Sequence, residues 1–389
     1  MVTEILLEIA IAIGRMFINP LFYLAILMAV YLGYRRVKRE RKFFHTRILW
    51  GWSETKGLLS EGLLVSLCIS ILSIAFGLTV SAELLYFVTI ASMIALILYV
   101  FHFLSPILIF TLSLVALMVM DYFDWTFSLL GFKFNSVNLT EGTAVTTTLL
   151  VGLLLVAEGL LIRKNGASYA SPIVENTKRG LKSVAFLSKK IWILPIFFVI
   201  PGNAIDAYMP WWPQFSLGAT QFSLVLFPIV LGFQQMARRS LPVQLYPKMG
   251  RKIVLLGVLV VMGGLVAYFE PIVGIICLIA GTVARIVLSI IHTISEKRDI
   301  YAVSPQSTGV MIAGVLPNSP ADKMGLDVGE VIRKVNGVEV HTERQLYEAL
   351  QINAAHCRLE VLNHQKEVRL TQHVVYSDDH HRIGLLIAE

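Results

Sequence analysis

The stretch "GVLPNSPADKMGLDVGEVIRKVNGVEV", Gly314 to Val340, is punctuated like a small soluble domain, although apolar runs dominate the chain before it. Ser319 stands where an N-cap hydroxyl accepts from the first helical N–H groups, Pro320 falls at the first helical position, and Gly325 follows the end. Together these three residues predict a short helix. Upstream, "GVMIAGVLP" reads as a strand bounded by Gly309 and Pro317-Asn318. Downstream, "EVIRKV" is a second strand closed by Asn336-Gly337, a dipeptide that tolerates the positive φ of a tight turn. Thr342 and Gln345 form a capping box opening a helix over Glu343 to Gln351, with Leu346, Ala349 and Leu350 on one apolar face. "RLEVLNHQKEVRL" reads as a hairpin across Asn363-His364 and "RIGLLI" as a closing strand. Five strands and two helices in this order make a compact α+β unit.

Outward from that unit the composition changes. The chain has 389 residues, 56% of them hydrophobic and 15% charged, against roughly 25% charged in an average soluble protein. Candidate membrane spans are Ile9 to Leu32, Gly62 to Val80, Leu84 to Phe103, Leu104 to Met120, Thr143 to Ile162, Ile191 to Ala207, Ser216 to Phe233, Ile253 to Phe269 and Pro271 to Ile291. Their lengths suit helices crossing a hydrocarbon core of about 30 Å. Leu84 to Met120 reads either as one long helix or as a hairpin turning at Leu104-Ser105-Pro106.

Charge bias decides between them. Gly33 to Glu61 carries eight Lys and Arg, Arg163 to Lys190 seven and Gln234 to Lys252 five, whereas the remaining loops are poor in base. Two crossings in Leu84 to Met120 put every basic loop on one side, as the cytoplasmic enrichment of Lys and Arg requires. That arrangement has nine spans and an N-terminus outside. A version with eight, in which the first segment is re-entrant at Asn19-Pro20, has the N-terminus inside. Both place the C-terminal unit in the cytoplasm. Tyr208, Trp211 and Trp212 suit an interfacial aromatic belt. The net charge of +7 lies between apolar spans rather than on one soluble face, so it reports topology and not nucleic-acid binding. Glu4 and Glu8 stand where a secretory signal would be basic, so the first segment is expected to stay in the mature protein.

The order of elements around "VLPNSPADKMGLDVGEVIRKVNGVEV" resembles the PDZ domain in its bacterial, circularly permuted form. The family's V-x-P-x-S-P-A, G-L-x-x-G-D-x-I and N-G segments correspond to Val315 to Ala321, Gly325 to Ile332 and Asn336-Gly337, with Glu330 where Asp is usual. The fold class is then a polytopic α-helical membrane protein of eight or nine transmembrane helices with a C-terminal, circularly permuted α+β PDZ domain. Residues 1–294 form the membrane region and 295–389 a cytoplasmic PDZ domain. The resemblance implies a peptide groove in which Ile383, Gly384 and Leu385 are the carboxylate loop and Leu346 and Leu350 line the facing helix. On a plainer reading "RIGLLI" is only a closing strand with Gly384 at a bulge.

PDZ modules accompany membrane proteases, but catalytic motifs are missing. No histidine is followed by another at helical ligand spacing, and His380-His381 are adjacent. "GASYA", Gly166 to Ala170, looks superficially like a rhomboid serine motif yet lies in a basic loop. Cys68, Cys277 and Cys357 form no disulfide framework. Glu158 and Arg285 are the deep ionisable residues and read as snorkelling side chains or a structural pair before a transport path. A PDZ-bearing accessory or relative of a membrane protease, or a transporter with a regulatory PDZ domain, is the alternative reading.

With the basic segment "YRRVKRERKFFHTRI", Tyr34 to Ile48, the whole chain resembles the polytopic PDZ-domain division-site adaptors of Bacillus-type Firmicutes. That resemblance implies a non-enzymatic, cofactor-free bridge between a DivIVA-like scaffold and a MinD-like ATPase of the MinCD inhibitor. It further implies enrichment at septa and poles.

Overall fold

A computed structural model describes residues 2–123, 127–129, 132–134, 141–177, 180, 182–206, 221–297, 301–352, 356–374 and 383–387. Helix α1 (Val2–Ile18) meets α2 (Pro20–Phe44) at a bend of 54°. The cause is local: Pro20 has no N–H to continue α1, and Asn19 Oδ1 caps α2 by accepting from Leu21 N at 2.9 Å. Then come α3 (Ser53–Ser60), α4 (Leu63–Ala75), α5 (Ala82–Ile97), a 3-10 turn at Phe101–Leu104 and α6 (Pro106–Tyr122). The chain therefore breaks where the hairpin reading puts it, and α5 and α6 pack together. A small hairpin, β1 (Phe127–Leu129) and β2 (Phe132–Phe134), leads to α7 (Glu141–Asn165).

After β3 (Ser171–Asn176) the chain departs from expectation. The apolar runs 191–207 and 216–233 are not helical spans in their described parts: 191–206 lies in β4 (Lys182–Asp206) and 221–233 in β5 (Gln221–Ala237), antiparallel partners in a sheet ordered β3-β4-β5. Pro195, Pro201 and Pro228, among Ile, Val and Phe, would each cost a helix a hydrogen bond, and an apolar run alone does not separate strand from helix. Pro195 pairs with Pro228, so both missing donors fall on one rung. Helices α8 (Pro242–Val266) and α9 (Pro271–Glu296) complete this region. Among the described residues four helical segments are long and apolar enough to cross a membrane, Ser53–Ala75, Gly142–Asn165, Pro242–Val266 and Pro271–Glu296, or five if the bent pair α1–α2 is one span. Two shorter apolar helices, α5 and α6, stand beside these, and among the described residues the expected count of eight or nine is not confirmed, two of the candidates being strands. The Tyr208, Trp211 and Trp212 belt lies outside the described residues.

A sheet within an apolar helical assembly must have its edges covered, because an unpaired backbone group in hydrocarbon costs several kcal/mol, roughly. Along β4, Ser70 Oγ of α4 accepts from Phe197 N at 3.0 Å and Val80 N donates to Val199 O at 2.9 Å. Along β5, Glu8 Oε1 accepts from Leu224 N at 3.1 Å while Arg15 Nη1 donates to Leu224 O at 2.6 Å. Polar residues on α1 and α4 thus serve as sheet partners.

Helix α7 is the centre of the helical part: 78% of its most apolar stretch is buried, against 22–33% in the other three spans. It meets α8 through glycines at seven-residue spacing on both helices, Gly152 and Gly159 facing Gly250, Gly257 and Gly264. A Cβ at Gly159 would lie 2.7 Å from Val254 N, and one at Gly257 would lie 2.7 Å from Val156 N. Small residues at one helical phase let backbones approach this closely, the packing mode that stabilises helix pairs in lipid.

The C-terminal unit follows. Its elements are β6 (Val310–Val315), α10 (Pro320–Lys323), β7 (Val331–Val335), β8 (Val338–Glu339), α11 (Glu343–Ile352), β9 (His356–Leu362), β10 (Val368–Val374) and β11 (Leu385–Ile387). The strands lie in the order β10-β9-β7-β6-β11, with β8 paired to β7. Asn336 (φ 50°) and Gly337 (φ 87°) make the predicted turn. One face of the sheet buries Val310, Ile312, Ile332, Leu359 and Val361 with Leu346 and Leu350 of α11. Met311, Ala313 and Val331, of opposite parity, join the large core of the helical region.

Candidate functional site: the sheet edge beside helix α11

Strand β11 ends the sheet, pairing with β6 through Leu385 opposite Val315 and Leu386 opposite Gly314. Among the described residues no other strand pairs with it. Helix α11 owes its position to the expected cap: Gln345 N donates to Thr342 Oγ1 at 3.2 Å, while Gln345 Oε1 accepts from His341 N at 2.8 Å. Its i, i+3, i+4 face, Leu346, Ala349 and Leu350, then turns into the core.

Before β11 the backbone takes two left-handed residues, Ile383 (φ 45°) and Gly384 (φ 84°). The turn is tied to α10 and the end of β6: Ala321 N donates to Ile383 O at 2.9 Å and Leu316 N to Gly384 O at 2.8 Å. A Cβ at Gly384 would stand 2.2 Å from both Cβ and Oγ of Ser319. Glycine is therefore required twice, by backbone sign and by space.

All five residues expected at a groove lie in one part of the domain. Leu346, Leu350, Ile383 and Leu385 are 0%, 8%, 3% and 2% exposed and share one core. Their side chains hold the fold as well as border the edge. Sequence reasoning did not anticipate Ser319 as the residue that Gly384 contacts, since the two are distant in the chain. Nor did it assign Glu330, whose carboxylate accepts from Asp327 N at 3.0 Å and from Arg369 Nη2 at 2.7 Å. That ion pair fixes the approach to β7, and a glutamate serves there in place of the usual aspartate.

Glu158 and Arg285 form a buried pair at 2.5 Å, with Ser105 Oγ donating to Glu158 Oε2 at 2.6 Å. Neither side chain reaches the surface: Glu158 is 0% and Arg285 5% exposed. A lone buried carboxylate would be costly, so the two side chains and the hydroxyl close the α6–α7–α9 contact as a set. Gly166, at the start of the "GASYA" turn, accepts from Ser188 Oγ at 2.7 Å and anchors β4. No group of three or more His, Cys, Asp or Glu suited to a metal ion occurs among the described residues. His380 and His381 lie outside them.

The unit docks on the helical region rather than hanging from it. Val184 N of β4 donates to Val303 O at 2.9 Å, and Ala302 N donates to Arg238 O at 2.7 Å. Arg238 Nε and Nη2 donate to Glu175 at 2.7 and 2.9 Å, and Tyr301 OH donates to the same carboxylate at 3.0 Å. The Arg238 hydrogen bonds, opposed by burial and aided by Tyr301, hold the Glu175 carboxyl below the usual carboxylate range.

Sheet order and span-length apolar helices define the class: a membrane-type chain with a C-terminal PDZ domain. The PDZ domain family matches residues 311–363. Over nearly its full length the chain is similar to the cell division topological determinant MinJ of Bacillus subtilis (strain 168), with 29% identity across 98% of this chain and 96% of that protein. It is also 26% identical to the probable cell division topological determinant MinJ of Lacticaseibacillus paracasei, over 95% of this chain and 96% of that one. The protein of Lacticaseibacillus casei (strain BD-II) with the same printed name matches to the same extent. A PDZ domain at this place and similarity over both regions are consistent with MinJ.

Proposed function

We propose that this chain is a non-enzymatic membrane adaptor for placing the division septum. Its PDZ domain, residues 295–389 in our division of the chain, captures a peptide or C-terminal segment of a partner along β11 beside α11. The supporting observation is the edge position of β11, whose Leu385 shares a core with Leu346 and Leu350 of α11, after a left-handed turn at Ile383-Gly384. An edge strand supplies unpaired backbone groups for an added strand. In chain order the strand that closes the groove comes last, the arrangement a circularly permuted PDZ domain would have. The similarity to proteins named cell division topological determinants supports the division-site role. The partners we assign by resemblance are a DivIVA-like scaffold and a MinD-like ATPase of the MinCD inhibitor, with the PDZ domain in the cytoplasm.

The test has two arms. A fluorescent fusion of the full chain should gather at septa and poles and spread around the membrane when the DivIVA-like scaffold is deleted. Detergent-solubilised full chain should capture that scaffold or the MinD-like ATPase, and a chain ending at residue 300 should lose at least one of them. Uniform fluorescence in dividing cells, or capture of neither protein, overturns the adaptor reading.

A further inference from the structure

Two buried cations near the membrane-facing helices, Arg36 and Lys190, are saturated by carboxylates and carbonyls. The Arg36 guanidinium hydrogen-bonds Glu54, Glu40 and the carbonyls of Leu49 and Trp50. Lys190 Nζ donates to both oxygens of Glu61, at 2.9 and 2.8 Å, and to Asn165 O at 2.7 Å. Their sequence neighbours Arg35, Arg39 and Lys189 are different. Lys189 Nζ stands 4.2 Å from the ring centre of Tyr99 and 5.8 Å from that of Phe101. The Arg35 guanidinium carbon stands 5.8 Å from Tyr99 and 5.7 Å from Tyr31, and its Nη1 donates to Tyr31 OH at 3.1 Å. Arg39 follows Arg35 by one helical turn of α2.

Among the described residues none of the three cations has a carboxylate partner, and the buried Nε of Arg39 has no acceptor. Glu40, next to Arg39 in sequence, commits Oε1 to Arg36 and Oε2 to Ile48 N. Burial, then the fields of Arg39 and Arg35, push Lys189 down to about 8. Two cations on one aromatic ring, beside an arginine whose buried Nε has no acceptor, describe a site that lacks its anion.

We propose that Arg35 and Lys189, both on the ring of Tyr99, together with Arg39 one helical turn along α2, bind the headgroup phosphate of an anionic phospholipid. A phosphodiester offers several acceptor oxygens to guanidinium and ammonium donors. A lipid rather than free phosphate is indicated by what adjoins the cluster. Leu27 is 66% exposed and Tyr31 42% on α2, which packs against α5; at and after the end of α5, Ile97, Leu98 and Phe103 are 64%, 65% and 57% exposed. Tyr31, which touches Arg35, links these apolar residues to the cations, and they would carry acyl chains, given the membrane reading of these helices.

Full-length protein in detergent, stripped of copurified lipid, is titrated with phosphatidylglycerol, with phosphatidylcholine and with inorganic phosphate, and followed by native mass spectrometry. Phosphatidylglycerol should be retained in preference to phosphatidylcholine. Replacing Arg39→Gln and Lys189→Gln together should weaken its binding about tenfold to thirtyfold, the effect of two basic residues on an anionic lipid. Lys38→Gln, an exposed neighbour, should change nothing. Arg35→Gln, also at an exposed position, gives a second reading should the double variant lose its thermal transition, and should cost severalfold. Equal affinity for both lipids, or unchanged phosphatidylglycerol binding in the double variant and in Arg35→Gln, overturns the proposal. So does occupation of the cluster by inorganic phosphate alone.

Discussion

Glu8 and Arg15 lie on one face of α1 and between them hold both backbone groups of a single residue, Leu224, at the edge of β5. They also bond each other, Arg15 Nη1 to Glu8 Oε1 at 3.1 Å. A buried glutamate on an apolar helix is costly unless its lone pairs are used; here its partners are the edge N–H and the arginine. Glu8→Leu should therefore destabilise the solubilised chain by about 3 kcal/mol, because it strands an N–H and an arginine together. Arg15, whose side chain is 37% exposed, should cost less on Arg15→Leu, about 1 kcal/mol. Thermal unfolding in detergent reads both, and equal midpoints for Glu8→Leu and the parent would refute the edge-capping role.

The α7–α8 contact sets a second expectation. At Gly257 a side chain would press on Val156 N, so Gly257→Leu should force the helices apart at a cost of about 3 kcal/mol. Gly14 of α1 meets nothing within 4 Å, and Gly14→Ala should be neutral or stabilising by about 0.5 kcal/mol. If the two variants melt alike, the close approach is not what holds the pair.

In the PDZ domain Gly384→Ala should destabilise by about 2 kcal/mol, since it meets Ser319 at a φ of 84°. Adding Ser319→Gly should recover the part due to the clash. Proteolysis of the full chain near residue 384 would measure both, and an unaltered rate in Gly384→Ala would count against the turn geometry.

Docking of the PDZ unit should weaken in acid. Glu175 has its folded-state pKa depressed by Arg238, so its contribution is complete above the ordinary value of 4.5 and is lost as pH falls through the lower folded value. Hydrogen-exchange protection of the Ala302 and Val184 amides, relative to their intrinsic rates, should fall below that pH, and Glu175→Gln should remove the pH dependence. A loss of protection in acid that persists in Glu175→Gln would assign it to another group.

The topology has its own test. The charge bias expected to put every Lys- and Arg-rich loop on one side makes a prediction: alkaline phosphatase fused after Glu389 should be inactive and a fluorescent protein there bright. An active phosphatase would put the PDZ domain outside and reopen the protease-accessory reading.

The PDZ unit was almost wholly legible in the chain because its signals are local. Ser319 caps α10, Asn336-Gly337 turns β7 into β8, Thr342 opens α11 and Gly325 closes α10, each within a few residues of what it controls. The apolar character of the preceding region was equally plain, as was the break between α5 and α6. The strands β4 and β5 were not, because apolar runs of this length satisfy hydropathy in either conformation and the prolines are the only local objection. Which conformation wins depends on partners far away: Ser70, Val80, Glu8 and Arg15 pair the strand edges that a helix would have satisfied internally. Likewise the sequence determined that Glu158 and Arg285 sit deep, but only packing decided that they face each other and Ser105 rather than a lipid surface. For the groove the sequence determined Leu346, Leu350 and the Ile383-Gly384-Leu385 segment as candidates. Tertiary structure decided that they share one core, that Gly384 rests on Ser319, and that the domain is seated on β3 and β4, since contacts between residues distant in the chain are set by packing and leave no local pattern to read.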